Sequence, residues 1–230
     1  LDFLLKGDPH FTPWITKSDA DDGTWSTQAG FEYQLSETYH GHMRCFGLPL
    51  TGGKVFAIWG WRNVQAKGKV WNGSSWSEEE TVTSSNLLPL YDLGPGMSAV
   101  NEGDNVHLVF CSSTPDILYR KRTYGVGWGA EVTVQASVTT TSEPVLSKDG
   151  STLYCFWASS PSVDHIYYKK YSGGSWDADP TDWIDEATDQ LTSAANISCY
   201  YNKYGAYIGL FYETLTASPY RVKHNYLTPQ

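Results

Sequence analysis

Short apolar runs alternate with turn-forming residues along the whole chain. In its middle, apolar or tyrosine-containing strands are predicted at 106–110 and 117–122, with a polar loop at 111–116 between them. A glycine-rich turn follows, and then a further strand is predicted at 131–134. Runs of about four to eight residues bounded by turn residues are typical of β-strands rather than helices. The pattern therefore predicts an all-β chain.

The same order of elements recurs along the chain. A glycine-containing turn that ends in tryptophan occurs four times, at Trp25, Trp76, Trp128 and Trp176, so the steps are 51, 52 and 48 residues. Self-similarity at a fixed period of this size is typical of propellers and solenoids. Four strands in a repeat of about 50 residues are typical of one propeller blade. We therefore predict a β-propeller.

The repeats at the two ends are shorter than the three between them. The first repeat lacks an opening strand and the last stops before a tryptophan turn, which gives three, four, four, four and three strands, eighteen in all. We predict a single domain of five blades with incomplete terminal blades; part of a six-bladed ring has the same pattern and stays an alternative. The predicted repeats are 1–38, 39–90, 91–138, 139–190 and 191–230.

The tryptophan turns resemble the Asp-boxes of sialidase-like propellers, which are Ser-x-Asp-x-Gly-x-x-Trp turns between the third and fourth strands of a blade. The letters SDADDGTW at 18–25 match best, although one residue rather than two separates Gly23 from Trp25. The turns at 71–76 and 171–176 keep glycine and tryptophan but lack the acid, and they equally resemble turns of fungal and bacterial fucose-binding propeller lectins. The resemblance implies a propeller whose turn tryptophans pack between sheets.

The resemblance also implies where a ligand would bind. In sialidase-like propellers the site lies at the mouth of the ring, on the entry to the first strand and the loop after the second. His40, His42 and Arg44 alternate in sequence and would share one strand face there. The predicted ligand-binding residues are His40, His42, Arg44, Trp59, Trp61, Arg62, Tyr91, Asp92, Trp157, Tyr212 and Glu213.

These residue types favour sugar binding. Tryptophan and tyrosine rings stack on the C–H faces of pyranoses, and arginine and carboxylate groups bind hydroxyls. We therefore predict a non-enzymatic, lectin-like glycan-binding module that is extracellular or on the cell surface, without a cofactor. The net charge of −9 disfavours a nucleic-acid partner, since such proteins concentrate lysine and arginine. No apolar run is long enough for a membrane span.

Two other classes of function stay open. Glycoside hydrolysis needs two carboxyl groups about 5–10 Å apart, and acids occur in several of the predicted mouth loops; a polysaccharide lyase would instead use His40 and His42. The third class is a structural or protein-binding propeller in a surface or phage assembly. Sialidase activity is not predicted, because an evenly placed arginine triad is missing. The acids that would reach the mouth are Asp92, Asp116, Glu143, Asp164 and Glu213.

Metal binding is not predicted. His40 and His42 alone lack the remaining ligands of a zinc site. The acidic letters DADDG at 19–23 suggest calcium, but the glycine comes one position early for an EF-hand loop.

The four cysteines lie far apart in strand-like runs, which predicts buried free thiols and leaves disulfides as the alternative. The chain begins with Leu1 and has no signal-peptide pattern, so we expect it to be part of a longer protein.

Overall fold

The computed structural model describes residues 3–7, 12–17, 28–38, 43–61, 63–88, 96–139, 143–186, 188–191, 196–215 and 221–229. These residues form twenty β-strands and one short 3-10 helix at Thr51–Gly53. The strands in chain order are β1 (Phe3–Gly7), β2 (Pro13–Lys17), β3 (Tyr33–Gln34), β4 (Met43–Pro49), β5 (Val55–Trp61), β6 (Lys67–Trp71), β7 (Glu80–Thr81), β8 (Met97–Glu102), β9 (Asn105–Cys111), β10 (Ile117–Thr123), β11 (Gly127–Trp128), β12 (Val132–Gln135), β13 (Val145–Asp149), β14 (Thr152–Ala158), β15 (His165–Ser172), β16 (Ser175–Trp176), β17 (Thr181–Asp185), β18 (Ile197–Cys199), β19 (Ile208–Thr214) and β20 (Arg221–Leu227).

The strands make five antiparallel sheets in which consecutive strands pair, except that β12 pairs with β10 and β17 pairs with β15. Sheet 1 contains β1 to β3, sheet 2 contains β4 to β7, sheet 3 contains β8 to β12, sheet 4 contains β13 to β17 and sheet 5 contains β18 to β20. The all-β prediction is confirmed, and the terminal sheets have three strands each, as predicted. Twenty strands replace the predicted eighteen because the tryptophan turns of sheets 3 and 4 add the two-residue strands β11 and β16.

The chain divides into two compact units. The first contains Leu1–Pro95 and Gly103–Asn105, and the second contains Gly96–Glu102 and Val106–Gln230. Sheets 1 and 2 belong to the first unit, whereas sheets 4 and 5 and nearly all of sheet 3 belong to the second. The prediction of a single domain and the count of five blades stay predictions.

In the first unit, a tryptophan turn joins sheet 2 to sheet 1. The Trp76 ring stacks on Tyr33 at a centroid distance of 5.0 Å and meets the edge of Phe31 at 5.5 Å. Its indole Nε1–H donates to the Gly30 carbonyl at 2.9 Å. Within the turn, the Asn72 side-chain oxygen accepts hydrogen bonds from two backbone N–H groups. This tryptophan therefore packs between sheets, as the resemblance implied.

In the second unit, sheets 4 and 5 share an apolar core. Side chains on one face of β14, including Tyr154 and Phe156, pack against Ile208 and Leu210 on the facing side of β19. Trp176 lies on the opposite face of sheet 4 and packs edge-on against Tyr119 of sheet 3, at 5.4 Å between ring centroids. Because strand side chains alternate, sheet 4 presents one face to sheet 3 and the other face to sheet 5.

Candidate functional site

Five of the predicted ligand-binding residues lie outside the described residues: His40, His42, Arg62, Tyr91 and Asp92. The acidic stretch at 19–23 that suggested calcium also lies outside them. Within the described ranges, no group of three or more histidine, cysteine, aspartate or glutamate side chains has the arrangement of a metal site. Within the same ranges, no helix is long and apolar enough to cross a membrane.

The structure separates Arg44 from Trp61. Arg44 lies opposite Gly60 in the ladder between β4 and β5, whereas Trp61 lies opposite Met43. Side chains of adjacent residues point to opposite faces of a sheet, so Arg44 and Trp61 are on opposite faces of sheet 2. Trp61 packs against the core that sheets 1 and 2 share. These two side chains do not form one surface for a sugar.

Trp59 and Trp157 are core residues in this structure. Both side chains are fully buried, near the ends of β5 and β14. The Trp157 indole Nε1–H donates to the Ser160 carbonyl at 2.9 Å, and its ring stacks on Tyr167 with 6.2 Å between centroids. Neither tryptophan presents a face to solvent.

Tyr212 and Glu213 point to opposite sides of β19. Tyr212 is buried, and its hydroxyl donates to Glu186 Oε1 at 2.5 Å. Glu186 Oε2 also accepts a hydrogen bond from Lys223 Nζ at 2.6 Å. Glu213 accepts a hydrogen bond from the Asn196 side chain at 2.8 Å. Tyr212 is therefore part of a structural network, and Glu213 is the more accessible member of the predicted pair.

The other acids proposed for the mouth have structural contacts. Asp116 Oδ1 accepts from the Ser137 backbone N–H, and Asp164 Oδ1 accepts from the Leu191 backbone N–H, each at 2.8 Å. Glu143 is buried.

All four cysteines are free; Cys111 and Cys155 are buried, whereas Cys45 and Cys199 are half-buried.

Between sheets 3 and 4, four side chains that combine rings with polar groups pack against one another. We define the aromatic cleft by His107 and Tyr119 of sheet 3 and by Tyr171 and Trp176 of sheet 4. Tyr119 lies at its centre, with ring centroids 5.2 Å from Tyr171, 5.4 Å from Trp176 and 6.0 Å from His107. His107 and Tyr119 are buried, while Tyr171 and Trp176 are half-buried. The half-buried rings form the accessible side of the cleft.

Two buried nitrogen atoms of the aromatic cleft have no hydrogen-bond partner in the described part of the chain. They are Nε2 of His107 and Nε1 of Trp176. The other ring nitrogen of His107 lies 2.8 Å from the Tyr119 hydroxyl oxygen. Burial lowers the pKa of His107 to about 4, so the imidazole is neutral near pH 7. Buried polar groups usually have partners, and these two nitrogens are therefore candidates for ligand contacts.

Charged side chains lie at the rim of the aromatic cleft. Glu102 Oε2 is 3.5 Å from His107 Nε2, a contact that becomes an ion pair only if the imidazole is protonated. Lys121 Nζ lies 3.9 Å from the same carboxylate oxygen, and both side chains are 38% exposed. Lys148 Nζ donates to the Asn101 carbonyl and lies 5.3 Å from the centre of the Tyr201 ring. The rim thus provides both a carboxylate and ammonium groups.

The residues of this cleft lie in strands and in a turn, whereas the sequence predicts binding residues mainly in loops. Tyr119 and Tyr171 belong to the tyrosine-rich third strands, and Trp176 belongs to a turn that was interpreted as structural. His107 interrupts the otherwise apolar run 106–110, and this polar residue in a buried strand was the available signal.

A second polar cluster surrounds His165 on sheet 4. Its Nδ1 lies 2.9 Å from Asp182 Oδ2, and its Nε2 lies 3.6 Å from Asp185 Oδ1. The hydrogen bond to Asp182 is the main cause that raises the pKa of His165 above its usual value. A raised folded-state pKa contributes stability that is complete below about pH 6.5 and is lost as the pH rises through the folded-state pKa.

Replacing His165 with glutamine is therefore expected to lower stability most at mildly acidic pH. We expect the difference in urea midpoint between the wild type and His165→Gln to be largest near pH 6 and to shrink toward about pH 9. Asp182→Asn should remove the same pH dependence, because it removes the main partner. A difference that stays constant between these pH values would contradict the assignment.

Comparison with known proteins supports the fold. Neither a protein-family model nor a curated protein matches the chain. Among solved structures, the chain is similar to a variant of AofleA from Arthrobotrys oligospora, with a TM-score of 0.64 and 14% identity over 98% of this chain and 64% of that one. The BP39L lectin from Burkholderia pseudomallei gives 0.70 and 10% identity over 98% and 62%. The chain thus spans less than two thirds of either protein.

A third similar structure is the fungal Aleuria aurantia lectin, described as a six-bladed β-propeller with a novel mode of fucose recognition. Its TM-score is 0.55, with 14% identity over 96% of this chain and 72% of that one. At these identities the likeness shows the fold and not the ligand. The chain has the β-propeller fold.

Proposed function

We propose that the chain is a non-enzymatic glycan-binding module, extracellular or on the cell surface, and that it binds sugar at the aromatic cleft. The observation that carries this proposal is the buried Trp176 Nε1, which has no hydrogen-bond partner among the described residues, beside half-buried aromatic rings and the His107 Nε2 that has only Glu102 nearby, at 3.5 Å. A pyranose ring would supply contacts to both kinds of group, since its apolar C–H faces pack on aromatic rings and its hydroxyls hydrogen-bond to ring nitrogens.

The chemistry of each group suits a neutral or weakly polar sugar. The Trp176 indole N–H donates only, while Nε2 of a neutral His107 either donates or accepts, depending on the tautomer. The Glu102 carboxylate at the rim accepts from hydroxyls, and Lys121 donates to them. Tyr171 and Trp176 supply apolar ring surface together with polar tips, a combination suited to a partly wet site.

The similar structures suggest the first sugar to test. The SapL1 lectin was solved in complex with α-methyl fucoside, and the chain matches it with a TM-score of 0.59 and 12% identity over 99% of this chain and 74% of that one. We propose α-methyl fucoside and fucosylated glycans as the first probes. We also propose that the tryptophan turns are degenerate Asp-boxes, which the capping role of Asn72 in its turn supports.

The test is a glycan array followed by calorimetric titration of the best sugar. We expect saturable binding, with the sugar recovered unchanged, and a loss of affinity of about tenfold or more in Trp176→Ala. Trp76→Ala is the matched control, because Trp76 ends the same kind of turn in the other unit and its Nε1 already donates to Gly30. This control should keep the wild-type affinity.

Two results would contradict the proposal. One is the absence of wild-type binding across neutral, fucosylated and acidic glycans. The other is an equal loss of affinity in Trp176→Ala and Trp76→Ala, which would place the site elsewhere. Hydrolysed or eliminated sugar in the recovered sample would exclude the non-enzymatic part of the proposal.

A further inference from the structure

The turn that follows β6 contains the only Asn-Gly pair of the sequence, Asn72–Gly73. Both residues are exposed, and a bridge between Trp71 and Trp76 closes the turn behind them. Gly73 has a φ of +107°, and no heavy atom of the described chain outside its neighbours lies within 4 Å of its Cβ position. The space beside the peptide bond between Asn72 and Gly73 is therefore open.

The side-chain amide of Asn72 is held by the two serines that follow. Its Oδ1 accepts hydrogen bonds from the backbone N–H of Ser74 at 2.8 Å and from the backbone N–H of Ser75 at 2.9 Å. The same oxygen accepts from the Ser74 hydroxyl at 2.9 Å. A planar amide oxygen has two lone pairs, whereas a tetrahedral oxyanion has three. Three converging donors therefore suit an oxyanion better than the amide itself.

The atom that would attack this amide is the backbone nitrogen of Gly73. Attack on Asn72 Cγ closes a five-membered ring made of that nitrogen and the C, Cα, Cβ and Cγ atoms of Asn72. Negative charge then develops on Oδ1, and donors within about 2.7–3.1 Å of a developing oxyanion lower the barrier of such acyl-transfer steps. Glycine is also the residue whose backbone most easily adopts unusual conformations, so Gly73 limits ring closure least.

We propose that Asn72–Gly73 is a self-modification site, at which the turn promotes deamidation of Asn72 through a succinimide. Hydroxide removes the Gly73 N–H proton, the bond from this nitrogen to Cγ forms, and the bond from Cγ to Nδ2 breaks. Nδ2 takes a proton from water and leaves as ammonia, which restores the hydroxide. Water then adds to one of the two ring carbonyls, and the product is aspartate or isoaspartate at position 72.

The two products would affect the turn differently. Aspartate keeps an oxygen acceptor for the serine donors and loses only the donation from Nδ2 to Ser75 Oγ. Isoaspartate inserts a methylene into the backbone and displaces the hydrogen bond from the Asn72 N–H to the Ser75 carbonyl, which is 3.1 Å long. Trp76 follows directly and stacks on Tyr33 of sheet 1. We therefore expect isoaspartate, and not aspartate, to lower the urea midpoint of the first unit.

The test compares the whole wild-type chain with Ser74→Ala during incubation at mildly alkaline pH. Peptide mass spectrometry measures the mass gain of amide-to-acid conversion at position 72, and chromatography separates the isoaspartyl peptide. Ser74→Ala removes the hydroxyl donor and keeps the backbone N–H. We expect the rate at position 72 to fall about threefold or more in the folded variant. In concentrated urea, where the turn is unfolded, the two chains should react at the same rate.

Asn202 provides an internal control, because it is exposed but is followed by lysine and donates to the Lys203 carbonyl. It should remain an amide over the same period, and Asn72→Gln should abolish the mass gain at position 72. The proposal is overturned if folded Ser74→Ala reacts as fast as the wild type, or if a difference between them persists in urea. It is also overturned if position 72 reacts in urea but not in the folded wild type.

Discussion

Replacing Trp157 with alanine is expected to lower the free energy of unfolding by about 3–5 kcal/mol. The side chain is fully buried, so the change removes a large apolar volume from the core. It also leaves the buried Ser160 carbonyl without the indole N–H that it now accepts from at 2.9 Å. Urea denaturation followed by circular dichroism measures the change.

A matched control for Trp157→Ala lies in the following loop. Val163 is 71% exposed, and Val163→Ala should change the free energy of unfolding by less than about 0.5 kcal/mol. If Trp157 were a sugar-stacking residue instead, its replacement would lower affinity and leave stability nearly unchanged. That outcome would contradict the burial described for sheet 4.

Replacing Gly30 with alanine is expected to lower the free energy of unfolding by about 2–4 kcal/mol. Gly30 has a φ of +82°, a left-handed conformation that a side chain disfavours. A Cβ atom there would lie 2.2 Å from the ring of Trp71, which is itself buried. The shift needed to relieve this contact would also disturb the hydrogen bond from Trp76 to the Gly30 carbonyl.

Gly53→Ala separates the cost of the left-handed backbone from the cost of the clash with Trp71. Gly53 has a similar φ of +74°, but no atom lies within 4 Å of its Cβ position. We expect this variant to lose only the conformational part, about 1–2 kcal/mol. Equal losses of stability in the two variants would show that the packing of Trp71 over Gly30 contributes little.

Most of the strands were predictable because each repeat contains apolar runs that are bounded by turn residues. The run predicted at 106–110 is observed as Asn105–Cys111, and the one at 117–122 as Ile117–Thr123. Both runs end next to turn residues and carry no proline, so local preferences and tertiary packing agree. The incomplete terminal repeats were also predictable, because the sequence has no strand pattern where their missing strands would be.

The candidate site was less predictable because it depends on packing between repeats. Tyr119 and Trp176 are far apart in sequence, and only the stacking of sheet 4 on sheet 3 brings their rings to 5.4 Å. The sequence indicates which side chains of β14 share a face of the sheet. It does not indicate which of the two faces the neighbouring sheet covers. Trp157 was therefore expected in a binding loop although it belongs to the core.

The proposed function depends most on whether sugar contacts the aromatic cleft. The direct measurement is the set of ¹H–¹⁵N signals from the indole N–H groups of the ten tryptophans, titrated with the best sugar from the array. The signal lost in Trp176→Phe identifies Trp176. We predict that this signal shifts saturably, because its Nε1 has no partner in the described chain, while that of Trp76 stays in place. Saturable binding with an unmoved Trp176 signal would contradict the proposed site.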